Sequence, residues 1–240
     1  RDGFVFDVKY GSGAFMKTKN DAALLAPSLV NTAKTTGNKA SAFITDMSTP
    51  LGKKIGNFLE IEETIECLQN KGPEDVMTET FELGAQMLIL GNIAKNKEEG
   101  ILMCKNAVSS GDALKKFLEN VKLQGGNPDE LLSQLYKRRS EYKAEIKAEK
   151  DGWIFIDAYK TGIAGVQLGV GRNKTTDKVC SDAGIILEKI SGDKVKKGDL
   201  IMQVYGKDID CLPSAIKTLK EGITYSDIPI TKNELIYKQI

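Results

Sequence analysis

The chain has 240 residues, a formal net charge of +1, 41% hydrophobic residues and no histidine. A near-neutral charge argues against a dedicated nucleic-acid or anionic-membrane binder, because both need concentrated positive charge. Without histidine, these residues cannot form a Ser-His-Asp triad, a Cys-His pair or any metal site that needs imidazole. Chemistry within the chain must use carboxylates, lysines, hydroxyls, backbone groups or an ion held by oxygen atoms.

The first 45 residues predict a βαβ unit. Residues 3–8 (GFVFDV) are apolar, aromatic and β-branched, which predicts a buried strand. A glycine-rich loop at residues 9–13 precedes a predicted helix over residues 20–37, which Pro27 should kink or start late. Residues 40–45 predict the next strand. This order is typical of a parallel α/β sheet, whose functional site lies beyond the carboxyl ends of the strands.

The rest of the chain changes from helical to β-like patterns. Four further helices are predicted, at residues 57–69, 75–93, 98–108 and 112–121. Residues 125–128 (GGNP) then break the pattern, and short β-like runs separated by Gly-Asp turns dominate from residue 142. We therefore expect an α/β domain at 1–124, a linker at 125–141 and a smaller β-rich domain at 142–240.

Charge and hydropathy patterns predict a cytoplasmic protein without nucleic-acid or membrane partners. The basic run at residues 137–139 (KRR) is followed by interleaved glutamates, which favours a solvated surface over a nucleic-acid site. No apolar run approaches a membrane span of about 20 residues, and the N-terminus lacks a signal-peptide layout. The four cysteines form no C-x-x-C pair, so reduced thiols are expected.

Two loops could carry chemistry. The loop at residues 9–16 could turn backbone N–H groups toward a phosphate. It matches neither a Walker A loop nor G-x-G-x-x-G, so its spacing alone favours a structural tight turn with Phe15 as a core residue. The loop at residues 45–57 could offer carbonyl groups to a hard cation together with a later glutamate. The simpler interpretation is that Asn57 caps a helix whose first turns contain glutamates.

Long motifs in register resemble the pyrimidine-nucleoside and thymidine phosphorylase family. The first is DVKYGSGAFM at residues 7–16, and the second is TDMSTPLGKKIGNFLE at residues 45–60. Residues 184–198 and 235–237 look like the family's C-terminal domain. The resemblance implies an α/β phosphorylase domain followed by a small β-rich, barrel-sandwich-like α+β domain.

The resemblance also implies an activity. Family members catalyse reversible phosphorolysis of pyrimidine nucleosides, such as uridine, thymidine and deoxyuridine, to the free base and a (deoxy)ribose 1-phosphate. They need no organic cofactor, use inorganic phosphate as co-substrate and form homodimers. They also have a long N-terminal portion, absent from this chain, that holds the phosphate-binding and base-gripping residues. We therefore expect no catalytic residue among these 240 and no activity from them alone.

Four positions match functional positions of the family. Phe15 matches an aromatic residue that lines the base pocket. Leu51 and Lys54 match positions whose carbonyl groups coordinate a structural potassium ion in bacterial members, and Glu63 matches its carboxylate ligand. Two alternatives remain open: a thymidine phosphorylase restricted to 2′-deoxynucleosides, and a non-catalytic piece that acts only by binding or assembly.

Overall fold

A computed structural model describes residues 3–172 and 174–240, and packing divides these residues into two units. The first unit comprises residues 3–51, 66–117 and 233–240, and the second comprises the described residues of 52–65 and 118–232. These ranges differ from the two predicted domains, because residues 52–65 pack with the second unit and residues 233–240 with the first. The domain boundaries taken from the family resemblance stay a prediction.

The chain begins with alternating strands and helices and continues through a helical middle into a mixed region. In chain order the elements are β1 (Gly3–Tyr10), α1 (Lys19–Thr35), β2 (Lys39–Asp46), β3 (Lys54–Ile55), α2 (Asn57–Leu68), α3 (Glu74–Leu90), α4 (Lys97–Ser109), α5 (Asp112–Leu123), α6 (Pro128–Gln134), β4 (Lys143–Lys147), β5 (Gly152–Ile156), α7 (Ala158–Leu168), β6 (Gly184–Leu187), β7 (Lys194–Val195), β8 (Leu200–Tyr205), α8 (Leu212–Glu221), β9 (Ile223–Ser226) and β10 (Ile236–Gln239).

The first unit contains a sheet in the order β1-β2-β10. Strands β1 and β2 pair in parallel, from Gly3 opposite Lys39 to Tyr10 opposite Asp46, and β10 joins β2 in the antiparallel direction. The parallel pair with α1 between its strands confirms the predicted βαβ unit. The carboxyl ends of β1 and β2 therefore lie side by side, and each continues into one of the two candidate loops.

Helix α1 begins earlier than predicted and continues through its proline. Thr18 caps it in a capping box with Asp21, two residues before the predicted start at residue 20. Pro27 lies inside a helix that runs to Thr35 without a break. The helix buries an alanine-rich stripe that packs in one core cluster with residues of β1 and β2, and this packing outweighs the lost backbone bond.

The second unit contains a sheet in the order β3-β6-β8-β4 and another in the order β7-β5-β9. Its core is a single aliphatic cluster that includes Ile146, Ile154, Leu168 and Ile185. Helices α6, α7 and α8 were not predicted individually, although the predicted β-like runs coincide with β4, β5, β6 and β8. The mixed α/β architecture agrees with the expected fold class.

Two glycines let β3 approach β6 very closely. A side-chain carbon at Gly56 would lie 2.5 Å from the Ala183 carbonyl oxygen, and one at Gly184 would lie 2.3 Å from the Ile55 carbonyl oxygen. Both residues also have positive φ angles, of 141° and 159°. The approach fixes the loop at residues 52–56 against β6, just before α2 begins.

The α3–α4 pair in the first unit also depends on a glycine. A side-chain carbon at Gly100 would lie 2.8 Å from the Cα of Ala85, so only glycine permits this separation of the two helices. None of the helices in the described part of the chain is both long enough and apolar enough to span a membrane.

Candidate functional site

The loops that follow β1 and β2 are bonded to each other. The Met47 N–H donates to the Tyr10 carbonyl at 2.6 Å, and the Gly13 N–H donates to the Met47 carbonyl at 3.0 Å. Gly11 is required here, since its φ is 118° and a side-chain carbon would lie 2.7 Å from the Ser48 backbone nitrogen. The two loops follow strand ends that are 36 positions apart, at Tyr10 and Asp46, and are therefore bonded into one surface at the carboxyl edge of the parallel strands.

The geometry of the first loop favours a tight turn over a phosphate cradle. The N–H groups of Gly11, Gly13 and Ala14 already donate to the carbonyl groups of Met16, Met47 and Gly11, respectively. Lys17 donates to the carbonyl groups of Ser12 and Ala14, which closes the turn further. The loop presents an aromatic side chain, because Phe15 is 98% exposed. The interpretation of Phe15 as a core residue is therefore wrong.

A polar cluster lies behind this surface, on β1, β2 and α3. The Lys9 ammonium group contacts Asp7 Oδ2 at 2.8 Å, Glu79 Oε1 at 2.7 Å and Thr45 Oγ1 at 3.1 Å. Burial alone would lower the pKa of Lys9, but the bonds to both carboxylates raise it. Burial, reinforced by the charge of Asp7 and opposed by Lys9, raises the pKa of Glu79. Lys9 is therefore charged, and Glu79 retains its proton to a higher pH than an ordinary glutamate.

The loop at residues 52–54 carries the predicted ion ligands of the second unit. Glu63 is 7% exposed, and its Oε1 accepts a hydrogen bond of 2.8 Å from the Lys53 N–H. This bond holds the carboxylate against the backbone of the loop, and the role of Glu63 as an ion ligand stays a prediction. Leu51 is half-buried and belongs to the first unit, where it ends the range 3–51. Its part in an ion site stays a prediction.

The side chain of Lys54 forms an ion pair, whereas the family resemblance predicts the backbone carbonyl group of Lys54 as an ion ligand. Its ammonium group lies 2.7 Å from Glu62 Oε1, and Arg139 Nη2 donates to the same oxygen at 2.6 Å. The Tyr136 N–H donates to Glu62 Oε2 at 2.6 Å. The Glu62 side chain is fully buried, and the three donors overcome the effect of burial and lower its pKa. The predicted solvated surface at residues 137–139 is therefore wrong for Arg139, whose side chain is only 15% exposed.

The described residues contain no group of three or more His, Cys, Asp or Glu side chains that could hold a metal ion. The potassium site that the family resemblance implies at Glu63 stays a prediction.

A cavity of about 590 Å³ lies in the first unit, lined by the C-terminal segment, α3 and α4. Its wall includes the Glu82–Lys97 ion pair, the ring of Phe43 and the residues of β10. Neither Phe15 nor Leu51 belongs to its lining. The cavity is thus separate from the two paired loops.

Sequence reasoning did not assign functions to the residues of the polar cluster. Asp7 and Lys9 interrupt an otherwise apolar strand at alternate positions, which places both on one face and could have been noticed. Glu79 gives no such signal, because a glutamate on an amphipathic helix is ordinarily exposed. Glu62 and Arg139 are 77 positions apart, and their pairing has no local pattern.

Comparison with known proteins gives consistent matches along the chain. The family described as "Glycosyl transferase family, a/b domain" matches residues 2–114, and "Pyrimidine nucleoside phosphorylase C-terminal domain" matches residues 154–226. Pyrimidine-nucleoside phosphorylases of Staphylococcus aureus strains USA300, NCTC 8325 and COL are each 37% identical to the chain over 242 aligned residues. The alignment covers 100% of this chain and 55% of each relative.

The chain therefore spans about half the length of the curated relatives it matches. The two family matches follow each other in the order of the two predicted domains, and the first includes both loop motifs. With the parallel strands, the paired loops and the full-length alignment of this chain, these matches show that the chain belongs to the pyrimidine-nucleoside phosphorylase family.

Proposed function

We propose that the chain is part of an enzyme that catalyses reversible phosphorolysis of pyrimidine nucleosides. A phosphate oxygen attacks C1′ of the sugar as the bond from C1′ to the base nitrogen breaks. The base leaves with the bonding electron pair and takes up a proton, which gives the free base and a (deoxy)ribose 1-phosphate. The substrates would be uridine, thymidine and deoxyuridine, in nucleoside salvage.

The observation that carries this proposal is the exposed ring of Phe15 on the paired loops. Backbone hydrogen bonds link the two loops at the carboxyl edge of two parallel strands, where α/β proteins bind ligands. A planar aromatic side chain that is 98% exposed on a rigid turn offers a stacking face to a planar base. The family's base-pocket aromatic residue matches this position.

We infer that the residues that bind phosphate, here called the phosphate clamp, lie outside these 240 residues. Three N–H groups of the glycine-rich loop are already bonded within the chain, so this loop does not supply the clamp. Phosphorolysis needs donors that hold phosphate and stabilise the departing base. We infer that the part of the relatives that this chain does not span provides them, together with the homodimer contacts of a cytoplasmic enzyme.

The test is release of free base from thymidine and uridine in the presence and absence of inorganic phosphate. We expect phosphate-dependent release of both bases by a protein extended at its N-terminus to the length of the relatives, and none by the 240-residue chain. Release from thymidine alone would favour the 2′-deoxynucleoside-specific alternative. No release from either nucleoside by the extended protein would contradict the proposed function and favour the non-catalytic alternative.

A potassium ion would occupy the site formed by the carbonyl groups of Leu51 and Lys54 and the carboxylate of Glu63. When bound, it would neutralise the charge of Glu63. Glu63→Gln should reduce the dependence of the melting temperature and of the activity on potassium, because a neutral amide attracts the cation less strongly. The measurement is thermal unfolding in potassium chloride against tetramethylammonium chloride at equal ionic strength. Glu60→Gln, on the same helix, is the matched control.

The melting temperature separates the ion site from the catalytic proposal, since it needs no substrate. A potassium response that is the same in wild type, Glu63→Gln and Glu60→Gln would remove the ion site. A response lost only in Glu63→Gln would support it.

A further inference from the structure

The Lys9 ammonium group is fully used inside the protein. It has three N–H donors, and three acceptors surround it: Asp7, Thr45 and Glu79, at 2.8, 3.1 and 2.7 Å. The Thr45 hydroxyl donates in turn to the second carboxylate oxygen of Asp7. Lys9 therefore links β1, β2 and α3 and does not extend toward a ligand.

Glu79 is the member of this cluster that comes from a distant part of the chain. It is 5% exposed, and its Oε2 is buried without a hydrogen-bond partner among the described residues. The charged groups facing it are Asp7 and Lys9 on β1, while β2 supplies only the Thr45 hydroxyl. A proton on Oε2 would turn that atom into a donor toward Asp7, and the cluster would then be neutral overall.

The cluster lies directly beneath the paired loops. Lys9 and Thr45 are opposite each other in the parallel register, and the next pair is Tyr10 and Asp46. One residue further on, the Met47 N–H donates to the Tyr10 carbonyl. A displacement of Lys9 or Thr45 is therefore transmitted within one or two residues to the turn that carries Phe15.

We propose that Glu79 is a positioning residue of the nucleoside site, which holds Lys9 and, through Lys9, Thr45, and so fixes the paired loops that present Phe15. This inference rests on the proposed function only in what Phe15 contacts. The link between Glu79 and the loops is a property of the 240-residue chain itself. Glu79 touches no reacting atom, and its effect passes through the cluster.

The test is amide hydrogen exchange of residues 10–16 and 46–50, expressed as protection factors. Glu79→Ala removes one of the three acceptors of Lys9, so protection in both segments should fall roughly tenfold. Glu79→Gln retains an acceptor and replaces the proposed proton with an amide N–H, so protection should stay near the wild-type value at neutral pH. Glu82→Gln, one turn further along α3 in a 2.7 Å pair with Lys97, should leave both segments unchanged.

A pH series adds a measurement that a merely structural role would not change. Wild-type protection should fall as pH rises through the raised pKa of Glu79, because the folded state favours the protonated carboxyl group. Protection in Glu79→Gln should stay constant. If Glu79→Ala does not fold, this comparison decides. Equal pH profiles in wild type and Glu79→Gln would overturn the inference, as would unchanged protection in a folded Glu79→Ala.

Kinetics of the extended protein complete the test. Glu79→Ala should raise KM for thymidine more than it lowers kcat, because the affected element is the wall of the base pocket. Protection factors need no nucleoside, so the two proposals fail separately. Altered protection without any phosphorolysis would contradict the enzyme function alone, and normal phosphorolysis with unaltered protection would contradict the function of Glu79 alone.

Discussion

Glu62→Ala should lower the free energy of unfolding by about 3–5 kcal/mol, the cost of removing one partner from a buried ion pair. Glu62 is fully buried and accepts from Lys54, Arg139 and the Tyr136 N–H at 2.6–2.7 Å. Its removal would leave two cations without their shared acceptor. It would also release Tyr136, whose positive φ of 62° is unusual for a residue other than glycine.

Urea unfolding followed by tryptophan fluorescence measures this change. Trp153 is the only tryptophan in the sequence, and it lies on β5 in the same unit as Glu62. Glu62→Gln keeps the shape and should cost less than the alanine variant. Glu149→Ala removes an exposed ion pair with Lys220 and should change the midpoint far less. A loss below about 1 kcal/mol for Glu62→Ala would contradict the interpretation of this network.

The contribution of Glu62 to the free energy of unfolding should depend on pH in a defined direction. The pKa of Glu62 lies below its ordinary value of 4.5, so the charged form is the one that the folded state stabilises. Its contribution is present at neutral pH and is lost as pH falls below 4.5 and through the lowered pKa. The stability difference between wild type and Glu62→Gln should therefore shrink on acidification.

Phe15→Ala should raise KM for thymidine by about 10- to 100-fold in the extended protein, because base stacking on an aromatic residue contributes about 1–3 kcal/mol. The melting temperature should not change, since a ring that is 98% exposed contributes almost nothing to the core. Steady-state kinetics at saturating phosphate measure the effect on KM. Phe15→Tyr keeps the ring and should keep KM within a few-fold of wild type.

A control for Phe15 comes from the same unit. Leu24 on α1 is also an exposed apolar residue, at 78%, and lies outside the paired loops. Leu24→Ala should leave both KM and melting temperature unchanged. If Phe15→Ala left KM at the wild-type value, Phe15 would not line the base pocket.

Local patterns predicted the βαβ unit because its two strands are rich in apolar residues and its helix buries a stripe of small apolar residues. Strand β1 alternates apolar residues with Asp7 and Lys9, and α1 repeats small residues at helical spacing. The kink or late start predicted at Pro27 does not occur, because the intrinsic helix propensity of proline does not include tertiary packing. Ala22, Ala26 and Val30 of the same helix pack in the core cluster and stabilise it.

The network at Glu62 was not predictable, because its members are brought together by tertiary structure. Arg139 appeared as part of a solvated basic run, and Glu62 as one of several glutamates at a helix start. The two residues are 77 positions apart, and the nearby contact of β3 with β6 joins Gly56 and Gly184, which lie 128 positions apart in the sequence. No local periodicity in the sequence indicates such a tertiary contact.

The candidate site was predicted from motifs rather than from spacing. Spacing alone made Phe15 a core residue, whereas the family resemblance placed it at the base pocket and the structure exposes it. The motifs gave no reason to single out Glu79, because its partners Asp7, Lys9 and Thr45 lie 34 to 72 positions earlier in the chain.

The central claim is phosphorolysis, and ³¹P nuclear magnetic resonance of the extended protein with thymidine and inorganic phosphate tests it most directly. We predict that the phosphate signal declines while a deoxyribose 1-phosphate signal grows in a one-to-one ratio with released thymine. Added thymine should reverse the change. Free deoxyribose with an unchanged phosphate signal would show hydrolysis and contradict the account, as would no reaction at all.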